Sequence, residues 1–383
     1  LMKISKVVGY CLSSPYGDGK TFGQPAGVKS IGMVEVHTDS NVIGIGETYS
    51  GIYLPELIGP ITNSLADLIV GYNPMEIDRI YDLLNIPFFG STGIVKSVIS
   101  AIDIALWDIK GQVLEKPIYQ LLNDSVNNDV KVYASGGSVT FSTVEIQADI
   151  EKILKKGYHA YKMRIGDKSW EEDLERVRTA RECLGNNYEL MIDAIMGTLK
   201  NPWNKDIALN KIEDLKEFDP YWVEEPLHPT DLSGYRYLKE KASAKIAVGE
   251  AFCSAHEFEA YFDAVDFIQP DVTNCGGFSS MINIINAAKS NDIPVALHVW
   301  GSAVSILANL HIACVFSNVE WFEMPQVRLD IFSDYISRLI TIDNGYISAP
   351  ETVGLGISIN EQIKKEYRFV LGSGYKVPVT TNK

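Results

Sequence analysis

From about residue 130 onward, short apolar runs recur at nearly even intervals: VKVYASG, AYKMRIG, ELMIDAI, PYWVEEP, KIAVGEA, FIQPDV, PVALHVW and VEWFEMP. They are rich in β-branched and aromatic side chains and are largely apolar throughout, the pattern of strands buried on both faces. Amphipathic, helix-like spacers separate them. Eight such runs with helical spacers fit an α/β fold of the closed (β/α) TIM-type barrel class better than an open sheet. The seventh spacer, GSAVSILANLHIACVF, is helical and plainly apolar.

Residues 1–125 lack this rhythm and read as an α+β capping domain. MVEVHTD followed by NVIGIGETYSG predicts a hairpin with a glycine-assisted turn. SSPYGDGKTFGQPAG reads as an exposed loop, and residues 94–122 as helical with Gly111 and Pro117 as punctuation. The barrel then covers residues 126–350. The segment 351–383 is expected to pack back on the cap and complete it.

At 383 residues with 46% hydrophobic side chains, the chain can bury a core of this size. Its net charge of −15 argues against nucleic acid or an anionic membrane as partner. An anionic small molecule stays open, because a bound cation and a few bases can invert the field of a site. Cys11, Cys183, Cys253, Cys275 and Cys314 have no paired spacing, as expected of reduced thiols in a cytoplasmic protein. No apolar run reaches membrane-spanning length.

A barrel gathers the C-terminal ends of its strands around one mouth. Those ends read, in order, Lys162 and Arg164, Asp193, Glu224, Glu250, Asp271, His298 and Glu323. Any one such residue is most simply a helix cap or a surface charge; the ordered set is not. Asp193, Glu224 and Glu250 end neighbouring runs, and three carboxylates with positions left over suit a hard cation such as Mg²⁺.

The set resembles the enolase superfamily, and within it the mandelate racemase subgroup. The likeness rests on GIGET, ALWDIKG, PIYQLL, the strand ends and GLGI at 354–357. It implies that Asp193, Glu224 and Glu250 bind Mg²⁺, that Asp271 and His298 form a dyad, and that Glu323 is the acid of the eighth strand. The subgroup's shared step removes the proton α to a carboxylate. His298 would be the base, with Asp271 fixing its tautomer. Glu323, if protonated through a pKa raised by burial or by neighbouring acids, would donate to a substrate carboxylate. Lys162 would neutralise that carboxylate.

One departure matters for the reaction. The subgroup often has Lys-x-Lys on the second strand, its second lysine a base; here the motif is Lys162-Met163-Arg164. A guanidinium stays protonated. With one base left, dehydration of an aldonic or aldaric acid to a 2-keto-3-deoxy acid is favoured. A racemase or epimerase using Lys162 as second base is the alternative, and a non-catalytic sugar-acid-binding protein is another. The sixth strand has Asp271-Val-Thr-Asn274 and no lysine, unlike muconate cycloisomerases, and Ile195 stands where galactonate dehydratases have a histidine. Glu225 is expected to support the metal ligands and Trp300 to wall the pocket. Tyr16, Lys20 and Tyr49 fall in cap segments that select substrate in this family, and His228 is either a mouth residue or solvent-facing. A symmetric homo-oligomer is implied by resemblance alone.

Overall fold

The computed structural model describes residues 2–17, 23–24, 26–86, 88–123, 125–128 and 130–376. Three antiparallel strands open the chain: β1 (Ile4–Pro15), β2 (Val28–Thr38) and β3 (Ile43–Thr48). The β2–β3 hairpin turns at Asn41, whose φ of 61° suits the small polar residues that tolerate this region. Four helices follow: α1 (Ile58–Ile69), α2 (Ile77–Leu84), α3 (Gly93–Leu114) and α4 (Ile118–Leu122).

Helix α3 is buried along most of its length because it lies between the cap sheet and the barrel. Its contact with β3 depends on glycine. A Cβ at Gly44 or Gly46 would fall 2.0 Å from Ala105 O or 1.9 Å from Ala101 O. The GIGET motif is therefore a packing device before it is anything else.

The barrel strands are β4 (Lys131–Ser135), β5 (Ala160–Arg164), β6 (Glu189–Asp193), β7 (Trp222–Glu224), β8 (Lys245–Val248), β9 (Phe267–Ile268), β10 (Val295–Leu297) and β11 (Val319–Pro325). All pair in parallel in sequence order, and β11 closes on β4. Helices α5 (Thr143–Lys155), α6 (Trp170–Leu184), α7 (Lys205–Leu215), α8 (Leu232–Lys241), α9 (Ala255–Glu259), α10 (Gly277–Ser290) and α11 (Ala303–Ala313) connect them. Helices α5 and α6 start at capping boxes, Ser142 with Glu145 and Ser169 with Glu172, so serine and glutamate satisfy the first free amides reciprocally.

One side chain from each strand plugs the barrel: Tyr133, Ala160, Met191, Trp222, Ala247, Phe267, Ala296 and Trp321. Mostly, bulky residues alternate with alanine, which lets neighbours interdigitate. Because side chains in a strand repeat every two residues, the next layer toward the mouth is two positions on. It holds Ser135, Lys162, Asp193, Glu224, Gln269, His298 and Glu323, all buried. A dry plug thus underlies a polar floor, and register alone puts the charged residues there.

After β11 come α12 (Ser333–Leu339), a hairpin of β12 (Ile342–Asp343) and β13 (Tyr346–Ile347) against β4, and α13 (Glu361–Glu366). The chain then returns to the cap: Ser13 N–H donates to Tyr367 O at 2.9 Å and Tyr375 N–H to Ile52 O at 2.7 Å. Two sequence expectations need correction. Gly111 does not punctuate the helix but lies inside α3, where a Cβ would sit 2.5 Å from Gly354 Cα. The supposed exposed loop at 13–27 is partly interior: β1 runs through Pro15, and Tyr16 and Gln24 are buried. Lys20 lies outside the described residues.

Candidate active site

Strand register assembles the site. Arg164 pairs across from Asp193, and Asp193 from Glu224; Glu250 follows β8 after Gly249, whose φ of 144° turns the chain at the mouth. Asp193, Glu224 and Glu250 bring carboxylate oxygens within 4.8 Å of one another. Burial pushes Glu224 up to about 7, with Asp193, Glu323 and Glu250 adding to the rise against Lys162. Glu250 is raised too, by burial and then by Asp193, against the pull of His298. Crowded buried carboxylates with hard oxygen donors are what a divalent cation relieves, so the donor set fits Mg²⁺.

Lys162 is fully buried over the plug. Its Nζ donates to Glu224 Oε1 and Oε2 at 2.8 and 3.0 Å and lies 3.0 Å from Glu323 Oε1 and 3.9 Å from Asp193 Oδ2. Burial alone would depress its pKa, but Glu224 and Glu323 hold it well above the ordinary value. Arg164 donates to Gly136 O at 2.9 Å and Ser135 Oγ at 3.1 Å, with Nε 3.6 Å from Asp193 Oδ2. Its guanidinium also stacks 4.3 Å from the Trp300 ring centroid.

His298 Nδ1 lies 2.9 Å from Asp271 Oδ2, leaving Nε2 toward the acid cluster, 3.5 Å from Glu250 Oε2. Asp271 is itself fixed: its Oδ1 accepts from Thr273 N–H and Oγ1–H and from Asn309 Nδ2, at 2.9, 2.8 and 3.0 Å. Burial would lower the His298 pKa, but Glu250, Asp271 and Glu323 lift it to about 9.

Glu323 departs from expectation. Burial does push its pKa up, but Lys162, His298 and Arg164 outweigh it and hold the carboxyl near 2. Its Oε2 accepts the Val299 N–H at 2.8 Å. The shift runs opposite to the expected rise, and the carboxylate anchors Lys162 and the loop after β10.

The loop carrying His298 is gripped by the cap. Glu47, the acid of GIGET, accepts from Ser302 N–H at 2.9 Å, Ser302 Oγ–H at 2.5 Å and Ser305 N–H at 3.0 Å. A cap carboxylate so satisfies the start of α11. Lys29, also buried, donates to Trp300 O, and its ammonium sits over both the Tyr16 and the Trp300 ring. Burial brings its pKa down to about 7.

A cleft joins these groups, lined by Arg164, Asp193, Glu225, Glu250 and His298 on the barrel side. Tyr16, Tyr49 and Trp300 line it as the sequence suggested. Tyr49 stands edge-on to His298, with ring centroids 5.0 Å apart, and its hydroxyl is 3.4 Å from Glu250 Oε1. Glu225 is buried beside the cluster. His228 is exposed and bonds Thr230, away from the cleft. Gln24, Tyr53, Ser138, Thr198 and Tyr375 also line it and were not anticipated. Only Tyr53 had a signal, its four-residue spacing from Tyr49.

A buried polar floor of carboxylates and cationic side chains in a barrel mouth, covered by a cap that grips the His298 loop, defines a cap-and-barrel enzyme. Residues 145–363 match the enolase C-terminal domain-like family, and residues 25–123 the N-terminal domain of the mandelate racemase / muconate lactonizing enzyme family. The chain belongs to the enolase superfamily, in its mandelate racemase subgroup. It is 31% identical over 345 residues to the arabinonate dehydratase of Saccharolobus solfataricus, covering 87% of this chain and 89% of that one. It is 27% identical over 333 residues to a 3,6-anhydro-α-L-galactonate cycloisomerase of Streptomyces coelicolor, covering 85% and 88%. The structure of L-talarate/galactarate dehydratase from Salmonella typhimurium LT2, liganded with Mg and L-lyxarohydroxamate, superposes with a TM-score of 0.81 at 25% identity, covering 96% and 93%.

Proposed function

We propose that the protein dehydrates a sugar acid to the 2-keto-3-deoxy acid in a Mg²⁺-dependent reaction. Arg164 is the observation that carries this reading. It stands where the resemblance puts a second base, yet it is tied to Gly136 O, Ser135 and Asp193 and stays protonated. One base remains, His298 with Asp271.

In the metal-free protein Glu250 is the charge that most favours protonated His298; a cation on Glu250 would offset that charge, so that Nε2 takes the proton from the α-carbon and the Asp271 carboxylate stabilises the imidazolium formed. The same imidazolium protonates the β-hydroxyl as its C–O bond breaks. Water leaves, and the resulting enol tautomerises to the keto acid. A divalent cation held by Asp193, Glu224 and Glu250 supplies the positive charge that an ionised substrate carboxylate needs as its α-carbon is deprotonated. Lys162 and Arg164 add fixed positive charge on the other flank, and burial strengthens both effects.

Relatives named as dehydratases support the acid-sugar class, while cycloisomerases and racemases among them keep the isomerase alternative in view. Lys162, as second base, would have to give up a proton while embedded among three carboxylates, which argues against epimerisation.

The test is a panel of aldonic and aldaric acids with Mg²⁺ in deuterated water. Keto-acid formation that stops on chelation and returns with Mg²⁺ is expected. Deuterium entering both epimers without keto acid would establish the epimerase instead.

A further inference from the structure

Gln24 lies between β1 and β2 in the cap and is 3% exposed, yet neither its Oε1 nor its Nε2 has a hydrogen-bond partner. Leaving a buried polar group unpaired is costly, and folded chains satisfy nearly all such groups. The side chain lines the cleft that also holds Arg164, Asp193, Glu250 and His298. Its backbone is held in place: Gly27 N–H donates to Gln24 O at 3.1 Å, and Lys376 N–H to Gly23 O at 2.9 Å. A Cβ at Gly23 would fall 1.9 Å from the Tyr375 ring, so this segment is fitted against the C-terminal wall.

We propose that Gln24 recognises a hydroxyl on the polyol chain of the substrate, and that the substrate is accordingly a monoacid, an aldonic rather than an aldaric acid. The proposal rests on the sugar-acid reading above. A primary amide presents a donor and an acceptor together, and a hydroxyl satisfies both. An ionised second carboxylate only accepts, which would leave Oε1 unpaired and facing negative charge. The substrate carboxylate belongs at the barrel end, with the acid cluster, Lys162 and Arg164; the chain beyond it then runs toward the cap wall. Among the described residues lining the cleft, Arg164 is the one lysine or arginine, and it is already engaged by Asp193.

The experiment compares wild type, Gln24→Leu and Gln24→Glu, each with Mg²⁺. The probes are five- and six-carbon aldonates, their mono-deoxy derivatives from C4 outward, and the aldarates of matching configuration. Turnover and Mg²⁺-dependent binding are both read. For wild type, aldonates are expected to outperform aldarates, and removal of one hydroxyl to cost about 10- to 100-fold in kcat/KM. Gln24→Leu should lose a similar factor on the parent aldonate, mainly in KM, and no longer distinguish that deoxy derivative. Gln24→Glu keeps the size of the side chain and should also weaken aldonate binding. A deoxy penalty that persists undiminished in Gln24→Leu, or aldarates preferred by wild type, would overturn the proposal. If a bound aldonate yields an epimer and no keto acid, the dehydratase reading fails while the binding series still decides Gln24. Binding of neither class overturns both.

Discussion

Lys162 and His298 show how differently two buried bases can be used. Lys162 is enclosed by Glu224, Glu323 and Asp193 and acts as a fixed charge. Replacing it with methionine leaves Glu224 and Glu323 buried without their counter-ion, and stranding a buried charge costs about 3–5 kcal/mol. We expect Lys162→Met to lower the unfolding free energy of the metal-free protein by that order, seen as a lower urea midpoint, and Mg²⁺ to restore part of the loss by neutralising the same carboxylates. An unchanged midpoint would mean that Lys162 does not stabilise Glu224 and Glu323 as their counter-ion. His298 instead has one nitrogen free of the dyad and directed at the acid cluster. His298→Asn should abolish α-proton exchange, a loss of at least about 10²–10⁴-fold for a general base. Mg²⁺ affinity by titration calorimetry should stay close to that of wild type, because Asp193, Glu224 and Glu250 are untouched. Residual dehydration at an appreciable rate would remove His298 as the acid–base group.

At the scale of elements, the junction between cap hairpin and helix α11 is where the fold serves the chemistry. Glu47 at the end of β3 satisfies donors at Ser302 and Ser305, four residues and more beyond His298. Glu47→Ala strands those buried donors, at about 1–3 kcal/mol each, and frees the loop that carries His298 and Trp300. Both a lower unfolding midpoint and a fall in kcat are expected; Glu47→Gln, which keeps one acceptor, should recover part of each. A variant that lost stability alone would confine Glu47 to scaffolding. This junction also marks what a linear reading reaches. The barrel strands and their terminal acids were legible because a buried parallel strand writes an uninterrupted apolar run, and a charge at its end is conspicuous. The docking of GIGET on α11 was not, since its partners lie more than 250 positions away. The burial of Tyr16 and Gln24 was hidden for another reason: glycine and proline around them signal a turn, and turns are ordinarily exposed. The downward shift at Glu323 was out of reach because it depends on Lys162, His298 and Arg164 converging, where burial by itself points the other way.

For the whole molecule, the same packing of cap linker against barrel sets a pH response. His311, in α11, is fully buried; its Nδ1 accepts the Tyr119 N–H at 3.2 Å, and its ring stacks on that of Tyr119 in α4. Burial drives its pKa down to about 3 from an ordinary 6.5. The unfolded chain therefore binds a proton between those values that the folded one refuses. The stability held by the neutral ring is whole above pH 6.5 and drains as pH falls toward 3, by at most about 1.4 kcal/mol per pH unit. Asp103 works in the opposite sense. Burial raises it to about 7 against the hydrogen bonds of Ser279, so its contribution grows as pH falls from about 7 toward the ordinary carboxyl range. Near neutrality the two slopes oppose, which makes the wild-type curve a poor witness to either. Subtraction separates them. His311→Asn keeps an acceptor where Nδ1 was and removes the titration. Urea melts of both proteins from pH 4.5 to 7 should then give a difference that favours wild type at pH 7 and shrinks steadily on acidification. A difference independent of pH would mean that His311 is protonated in the folded state, and that the contact between α4 and α11 tolerates a buried charge.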